Sequence, residues 1–305
     1  MGAGEFQVSS IAIELSEAFA NLVESSARSV VRVEARARGP SSGVVWSTDG
    51  TIVTASHAVE DEDDMEIGLA DGTTLPATFV GRDHGTDLAI VKVTAKDLPR
   101  PAWLEPDSLK VGHLVLAVSR PGRSARAAHG IVSALGASWR SPSGGRLERY
   151  IESDIPLHPG FSGSLLLDAS GRVLGLNTSG LLRGHALAVP TATVRRVVES
   201  ILAHGRVRRG YLGVGTQPVR LGAALEAKLA QETGLLIAQV EPGSPAEKGG
   251  LLLGDVLVAI DAEPVRSVPE LLALLDEERV GRTVTARVVR GGETKELPLI
   301  VGVRE

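Results

Sequence analysis

The 305-residue sequence contains no cysteine. Disulfide bridges, thiolate metal sites and cysteine nucleophiles are therefore excluded. Aromatic residues are also few, with four Phe, three Trp and two Tyr, so Val, Leu, Ile and Ala must form the core. No apolar run approaches the roughly 18 residues that a membrane-spanning helix needs, and we expect no membrane segment in this sequence.

Neither sign of charge dominates the composition. The 32 Lys and Arg residues against 37 Asp and Glu residues leave a net charge of −5. Because this balance lacks the basic footprint of a nucleic-acid-binding protein, no nucleic-acid partner is expected. Hydrophobic residues make up 43% and charged residues 23%, which excludes a disordered chain or a coiled coil as the main architecture. At roughly 150 residues per domain, the length favours two domains.

Short strands dominate the chain up to about residue 190. Asp49-Gly50 and Asp71-Gly72 are dipeptides that favour hairpin turns between such strands. Because no helices separate the strands, the pattern favours antiparallel barrels or a sandwich over a doubly wound sheet. The predicted strands are Val30–Ala37, Gly43–Trp46, Thr51–Thr54, Met65–Leu69, Ala77–Val80, Leu88–Val93, Leu114–Val118, Gly130–Leu135, Leu165–Leu167, Val173–Asn177 and His185–Val189.

Helical patterns flank this strand-rich region. The first covers Ser16–Ser25, and Phe19 lies on its apolar face. The second ends at Gly205, a typical helix stop, and the basic stretch Arg206–Arg209 after it lacks periodicity. We place the domain boundary there. The apolar stripe of the second helix consists of Val194, Val197, Val198, Ile201 and Leu202.

The last hundred residues predict a small α+β module with one principal helix. Ser267 and Glu270 form a capping box at the start of that helix. Pro242–Pro245 reads as a turn-rich break. The apolar face of the helix consists of Val268, Leu271, Leu272 and Leu275, and the predicted strands are Leu235–Val240, Val256–Ile260, Thr283–Arg290 and Thr294–Val301. The chain is thus divided into an N-terminal segment (1–25), a strand-rich domain (26–207) and this module (208–305).

Three residues of the strand-rich domain are candidates for nucleophilic catalysis. His57 follows an apolar strand, Asp87 precedes another, and Ser162 lies in a loop between glycines. A serine hydroxyl needs a base to remove its proton, and the base needs a carboxylate that fixes its tautomer. Glycines beside the serine let backbone N–H groups converge on an oxyanion. Each residue alone also fits a structural role, as a core histidine, a turn cap or a turn serine.

The order of the three residues separates the known scaffolds. Asp87 follows His57 by 30 residues, and Ser162 follows Asp87 by 75. This order is that of chymotrypsin-type enzymes and differs from the Ser-Asp-His order of α/β-hydrolases. The loop around Ser162 also fails the G-x-S-x-G pattern, because Ser164 stands at its last position. Fold class and residue order therefore agree on a triad.

The chain resembles HtrA/Deg-type serine proteases, in which a chymotrypsin-like double six-stranded β-barrel precedes one C-terminal PDZ domain. The stretches that carry the resemblance are Asp49–Val59 around the histidine, Thr86–Ala89 around the aspartate, Gly130–Ala134, Gly171–Thr178 and Arg209–Val214. The resemblance implies an ATP-independent endopeptidase that acts on unfolded or misfolded proteins. It implies no cofactor and no metal.

The resemblance assigns roles to individual residues of the protease domain. Ser162 is the nucleophile, His57 the general base and Asp87 the residue that orients it. The N–H groups of Gly160 and Ser162 form the oxyanion hole. The residues that help to line the primary specificity pocket are Leu157, Asn177 and Thr178. Since Leu157 is aliphatic and no acidic residue faces the pocket, we expect cleavage after small or medium apolar residues. The loops Gly136–Arg149, Pro156–Phe161 and Ser179–His185 are expected to switch between ordered and disordered arrangements.

For the last module, the resemblance implies capture of C-terminal peptides. A PDZ domain adds the peptide as a strand at a sheet edge, and a backbone loop takes its carboxylate. That loop is Tyr211, Leu212, Gly213 and Val214, and the helix from Val268 to about Glu278 forms the other wall of the groove. The alternative is that Tyr211–Val214 is only an edge strand packed on the protease.

The sequence departs from the family beside the nucleophile. Family members usually read Gly-Asn-Ser-Gly-Gly-Pro, whereas this chain has Phe161, Ser164 and Leu165 at three of those positions. Hence a second hypothesis stays open, that of a catalytically weak or silent scaffold or chaperone that binds peptides. The resemblance also implies a homotrimer, for which the N-terminal helix is either a trimerisation element or a plain surface helix. The resemblance also implies an extracytoplasmic location. Because Met1–Phe6 reads as a cloning remnant, we expect that a leader or anchor is missing from this sequence.

Overall fold

The computed structural model describes residues 10–35, 39–103 and 108–303. Met1–Phe6 lies outside these residues, as does the end of the predicted strand Val30–Ala37. The chain divides between residues 206 and 207 into two compact units. The first contains two closed six-stranded barrels, and the second is an α+β unit built on one main sheet. The fold class predicted from the sequence is confirmed.

The first barrel is a closed antiparallel sheet with strand order β1-β2-β3-β6-β5-β4. Gly50 and Gly72 have φ angles of +96° and +92° at two of its turns, as the two Asp-Gly dipeptides predicted. Buried Val and Ile side chains fill its core. The strands are β1 (Val30–Glu34), β2 (Ser41–Val45), β3 (Thr51–Ala55), β4 (Met65–Gly68), β5 (Thr74–Asp83) and β6 (Leu88–Val93).

The second barrel has six strands in the order β11-β14-β13-β12-β7-β8. The sequence predicted only five of them. The missing strand is Tyr150–Ser153, in which Ile151 is the only aliphatic residue, and its pairing with two distant strands holds it in the barrel. The strands of this half are β7 (Leu114–Ser119), β8 (Arg126–Gly136), β9 (Trp139–Arg140), β10 (Arg146–Leu147), β11 (Tyr150–Ser153), β12 (Leu165–Asp168), β13 (Val173–Thr178) and β14 (Ala186–Pro190).

Two helices flank the barrels. Helix α1 (Ser10–Ala27) begins six residues before the predicted start and buries no residue fully. Helix α2 (Thr191–His204) ends at Gly205, whose φ of +74° closes the helix as predicted. The pattern predicts Leu202 on the buried stripe of α2, but it is 49% exposed, whereas the four other stripe residues are buried. Among the described residues, no helix is both long and apolar enough to span a membrane.

The second unit contains more helix than the sequence predicted. Its main sheet has the order β16-β17-β18-β20-β21, with β19 paired to β18, and a separate ribbon joins β15 to β22. Besides the predicted helix, its described residues form two further α-helices that the sequence pattern did not predict. The helices are α3 (Ala223–Leu229), α4 (Pro245–Lys248) and α5 (Val268–Leu274), and the strands are β15 (Gly210–Tyr211), β16 (Val214–Arg220), β17 (Thr233–Val240), β18 (Val256–Ile260), β19 (Glu263–Pro264), β20 (Thr283–Arg290), β21 (Glu293–Ile300) and β22 (Gly302–Val303).

Serine caps explain where two of these helices, α4 and α5, begin. The Ser244 hydroxyl accepts the N–H of Glu247 at 3.2 Å, which starts α4 inside the predicted turn-rich break. The Ser267 hydroxyl accepts the N–H of Glu270 at 3.4 Å, as the capping box predicted, although the Glu270 carboxylate accepts from Arg266. Helix α5 ends at Leu274, before the predicted Glu278, and Leu272 of the predicted apolar face is 45% exposed.

Candidate active site

His57 and Asp87 are brought together by neighbouring strands of the first barrel. His57 lies in a short 3-10 helix directly after β3, and Asp87 directly precedes β6, which pairs with β3. The Nδ1 atom of His57 lies 2.8 Å from Oδ2 of Asp87, and the backbone N–H of His57 donates to Oδ1 at 3.0 Å. Because Nδ1 donates to the carboxylate, the basic position of the ring is Nε2.

The Asp87 side chain is held on all sides. It is only 7% exposed, against 33% for the His57 side chain. The Thr178 hydroxyl, at the end of β13 in the second barrel, also donates to Oδ2 of Asp87. Asp87 itself has a φ of +56°, a left-handed conformation that non-glycine residues seldom adopt. These contacts fix the carboxylate, and through it the imidazole ring.

Ser162 lies in the loop before β12 and is 7% exposed. Its Oγ is 3.1 Å from the hydroxyl of Ser179 and 3.4 Å from the backbone nitrogen of Ser179. Within the described part of the chain, Ser162 makes no hydrogen bond to His57. The end of β13 thus meets both candidate groups, with Thr178 on Asp87 and Ser179 on Ser162. Sequence reasoning missed Ser179, because no residue near it in the chain marked it as a partner of Ser162.

Two serine hydroxyls of the first barrel hold the loop that carries Ser162. The Ser41 hydroxyl donates to the carbonyl oxygen of Ser162, and the Ser42 hydroxyl donates to that of Gly160, both at 2.7 Å. The Ser42 oxygen in turn accepts the backbone N–H of Arg120 at 2.9 Å. Both serines are fully buried. No local pattern predicts this clamp, since its hydrogen-bonded partners lie 121, 118 and 78 residues apart in the chain.

In the part of the chain that the structure describes, the clamped loop leaves two N–H groups without a protein partner. His158–Phe161 forms a turn closed by a 3.0 Å bond from the N–H of Phe161 to the carbonyl of His158. Pro159 and Gly160, with a φ of +89°, occupy the positions that a type II turn requires. Among the described residues, the N–H groups of Gly160 and Ser162 donate to no protein acceptor. Two such donors beside a serine hydroxyl are what an oxyanion would need.

Ser42→Ala is expected to lower kcat for peptide-bond cleavage by about 10- to 100-fold with little change in KM. The substitution leaves the Gly160 carbonyl and the Arg120 N–H buried without partners, a penalty of about 1–3 kcal/mol that loosens the loop. Kinetics with an apolar peptide substrate measure the effect. Ser41→Ala is the matched control, since the Ser162 carbonyl keeps the N–H of Ser42 at 3.2 Å. Equal losses of kcat in the two variants would contradict the role of Ser42.

The three residues predicted for the specificity pocket differ in their surroundings. Leu157 is half-buried and packs against the apolar cluster of the second barrel that contains Phe161. Asn177 is fully buried and donates to the hydroxyl of Ser164 at 2.9 Å. Thr178 contacts Asp87, so its hydroxyl serves the carboxylate. Phe161 therefore fills the barrel core and Ser164 satisfies a buried amide, which accounts for two of the departures from the usual family loop.

At the end of the loop between β13 and β14, His185 and Tyr150 both contact the carboxylate of Glu152. His185, two residues before Leu187 of β14, places Nδ1 2.8 Å from Glu152, and the Tyr150 hydroxyl donates to the same carboxylate at 2.6 Å. The hydrogen bond from Tyr150 lowers the pKa of Glu152. Burial, with the neighbouring carboxylate, raises the pKa of Tyr150 to about 12. The tyrosine thus stays a donor at all ordinary pH values.

In the second unit, the predicted carboxylate loop joins the ribbon to the main sheet. Tyr211 ends β15, Leu212 is buried, and Val214 begins β16. The carbonyl groups of Leu212 and Gly213 accept the N–H groups of Ala246 and Glu241, both at 2.8 Å. Within the described chain, the N–H groups of Leu212 and Gly213 donate to no protein acceptor. Because β16 is an edge strand of the main sheet, its outer edge and these donors are the kind of groups that strand addition uses.

Two family models match the chain, one for each unit. The trypsin-like peptidase domain matches residues 41–176 and the PDZ domain matches residues 210–301. Among curated proteins, "Probable periplasmic serine endoprotease DegP-like" of Chlamydia trachomatis serovar D is 36% identical over 85% of this chain, and that of Pseudomonas fulva is 37% identical over 86%. The alignments cover 53% and 55% of those proteins, so the chain spans about half the length of these relatives.

Solved structures show the same likeness over whole chains. "HtrA-type protease AlgW with tripeptide" superposes with a TM-score of 0.74 at 32% identity and covers 94% of this chain and 97% of its own. A serine endoprotease from Yersinia pestis gives a TM-score of 0.74 at 27% identity, with 94% and 98% covered. The barrels, the PDZ-like sheet and these relatives lead to one assignment: the chain belongs to the family of HtrA-type serine proteases with a PDZ domain.

Proposed function

We propose that the chain is an ATP-independent serine endopeptidase that cleaves unfolded or misfolded proteins. The observation that carries the proposal is that two adjacent residues, Thr178 at the end of β13 and Ser179 after it, contact Asp87 of the His57–Asp87 pair and Ser162 respectively. A carboxylate-bound histidine and a serine flanked by unpaired N–H groups are the components of acyl transfer. Family membership supports the same activity.

In this mechanism, Ser162 Oγ attacks the carbonyl carbon of the scissile bond while Nε2 of His57 takes the hydroxyl proton. The oxygen of the tetrahedral intermediate accepts the N–H groups of Gly160 and Ser162. The imidazolium, held by Asp87, gives its proton to the leaving amine, and an ester to Ser162 remains. A water molecule, deprotonated by His57, then hydrolyses the ester and restores the serine.

The alternative, a weak or silent scaffold, rests on Phe161, Ser164 and Leu165. Two of these residues have structural roles compatible with catalysis. Phe161 is 2% exposed inside the second barrel, and Ser164 accepts a hydrogen bond from Asn177. Neither side chain hydrogen-bonds to His57 or Asp87 among the described residues. The endopeptidase is therefore the better-supported function.

Casein degradation without nucleotide tests the proposal. The wild type is expected to degrade unfolded casein in the absence of ATP, and Ser162→Ala is expected to be inactive. The assay is repeated with an added C-terminal peptide, because a PDZ domain recruits such ligands. Casein that stays intact with and without peptide would favour the scaffold.

Cleavage is expected after Val, Ala or Leu. We assign Leu157, with Asn177 and Thr178, to the pocket for the residue that precedes the scissile bond. The apolar packing of Leu157 favours apolar side chains by desolvation. Mass spectrometry of the peptides from denatured casein measures the preference, with Ser162→Ala as the control for contaminating proteases. Predominant cleavage after Lys or Arg would overturn this pocket assignment.

The second unit is proposed to bind C-terminal peptides. Tyr211, Leu212, Gly213 and Val214 would form the carboxylate loop, and the edge of β16 would pair with the peptide strand while α5 forms the facing wall. Two solved relatives bear the titles HtrA-type protease AlgW with decapeptide and with tripeptide. The unpaired N–H groups of Leu212 and Gly213 support the same mode of recognition here.

The proposal also covers the bounds of the domains, the oligomeric state and the cellular location of the protein. We assign residues 1–25 to an N-terminal segment, 26–207 to the protease domain and 208–305 to the PDZ domain. A homotrimer that uses α1 is supported by its exposed apolar side chains, since Ile11, Ile13 and Leu15 are 73%, 53% and 43% exposed. An extracytoplasmic location is supported by relatives whose names include "periplasmic".

A further inference from the structure

The segment Thr178–Gly180 touches every candidate catalytic group. The Thr178 hydroxyl donates to Asp87, and Ser179 contacts Ser162. Gly180 packs so closely that a Cβ added to it would lie 2.5 Å from Oδ2 of Asp87 and 2.6 Å from Nδ1 of His57. Only Ser179 in this segment contacts the group that must attack.

The hydroxyl of Ser162 is engaged by Ser179 and not by its base. Its Oγ lies 3.1 Å from the Ser179 hydroxyl and 3.4 Å from the Ser179 nitrogen, and the described residues give it no hydrogen bond to His57. A serine hydroxyl has one proton and two lone pairs. If Ser162 donates to Ser179, its single proton is not available to His57; if it accepts, the bond still holds the hydroxyl against Ser179, although one lone pair stays free.

The backbone of Ser162 is fixed, so its hydroxyl is the part that must move. The Ser162 carbonyl accepts the Ser41 hydroxyl at 2.7 Å and the Ser42 N–H at 3.2 Å. Ser179 follows directly on Thr178, which is bound to Asp87, so both ends of the Ser162–Ser179 contact are anchored. Rotation about the Cα–Cβ bond of Ser162 would free its hydroxyl from Ser179 without moving the held carbonyl group.

We propose that Ser179 is a positioning residue that holds the Ser162 hydroxyl in an unreactive rotamer in the unliganded protease. This inference rests on the proposed function of Ser162 as the nucleophile. It adds a restraint on that function: the resting enzyme must break the Ser162–Ser179 hydrogen bond before His57 can take the proton. The Ser179 side chain thus lowers the basal reactivity of the site.

The rate of labelling by a small fluorophosphonate tests the restraint, because this probe reports on Ser162 without a peptide in the groove. Ser179→Ala is expected to label about two- to tenfold faster than wild type, the range that the net strength of one hydrogen bond gives. Ser179→Thr keeps the hydroxyl and is expected to label at the wild-type rate. The plateau of the pH–rate profile should rise in Ser179→Ala while its midpoint stays in place.

The outcomes separate this inference from the proposed function. If the wild type labels and Ser179→Ala labels no faster, Ser179 is no restraint and the inference fails alone. If Ser179→Ala labels more slowly and melts at a lower temperature, Ser179 has a structural role and the inference is again wrong. If neither protein labels, Ser162 is not a reactive nucleophile, and the proposed function fails with it. Labelling of Ser179→Ala in the absence of any labelling of the wild type would be the strongest support for the restraint.

Discussion

Replacing Asp87 with asparagine is expected to lower kcat for peptide-bond cleavage on the order of 10⁴-fold, the loss that this change gives in a chymotrypsin-type triad. The two side chains have nearly the same volume, but the amide can present N–H groups where the carboxylate accepts. Oδ2 of Asp87 receives Nδ1 of His57 and the Thr178 hydroxyl, and Oδ1 receives the His57 N–H. Asparagine cannot accept at both positions, so it favours the histidine tautomer in which Nε2 is protonated and cannot act as a base.

Steady-state kinetics with an apolar peptide, together with thermal melting, measure this effect. Asp83→Asn is the matched control, because Asp83 and Asp87 are equally buried: counted over the whole residue, each is 5% exposed. The Asp83 carboxylate accepts backbone N–H groups of Gly85 and Thr86 in the same turn. The control is expected to lower the melting temperature and keep most of kcat. If Asp87→Asn retained kcat within about tenfold of wild type, Asp87 would not be the residue that orients the base.

Replacing Gly163 with alanine is expected to lower the free energy of unfolding by more than about 4 kcal/mol, an exceptional loss for one methyl group. Gly163 has a φ of +80°, and a Cβ there would lie 2.0 Å from the carbonyl oxygen of Ser42 and 2.8 Å from the Thr54 hydroxyl. The Ser42 carbonyl cannot give way easily, because the Thr54 hydroxyl donates to it at 2.7 Å. The added methyl group would push the nucleophile loop away from the first barrel.

Gly72→Ala is the control for the backbone part of this effect. Gly72 has a comparable φ of +92°, but a Cβ there would meet nothing within 4 Å. The free energy of unfolding of Gly72→Ala should therefore fall only by the cost of the left-handed conformation, about 1–2 kcal/mol. Urea unfolding of both variants measures the difference, and casein cleavage follows its effect on the site. Equal stabilities would show that the loop tolerates displacement from the first barrel.

The sequence predicted those parts of the fold that depend on local patterns. Short apolar runs located all six strands of the first barrel, and the two Asp-Gly dipeptides located two of its turns. Strand β11 was not predicted, because its residues are mostly polar and its place depends on hydrogen bonds to β8 and β14. Helix α4 was not predicted, because Ser244 and Pro245 are as typical of a turn as of the start of a helix.

In the candidate site, too, only the residues marked by local patterns could be predicted from the sequence. His57, Asp87 and Ser162 were found because their order and flanking residues are typical of one enzyme class. The roles of Ser42 and Ser179 could not be predicted, since the Ser42 hydroxyl meets a carbonyl 118 residues away in the chain. The departure at Phe161 leaves a silent scaffold open on sequence grounds, but its side chain is buried in the core of the second barrel. Contacts across the barrels, which no local pattern encodes, decide these cases.

Mapping of a fluorophosphonate adduct tests the central claim most directly, that Ser162 is a nucleophile activated by His57 and Asp87. The tryptic peptide Tyr150–Arg172 contains Ser162 together with Ser153, Ser164 and Ser170, so tandem mass spectrometry must assign the modified residue. We predict a single adduct on Ser162 in the wild type, its loss in Ser162→Ala and its marked slowing in Asp87→Asn. Absence of any adduct, or an adduct on another serine, would contradict the assignment of Ser162 as the nucleophile.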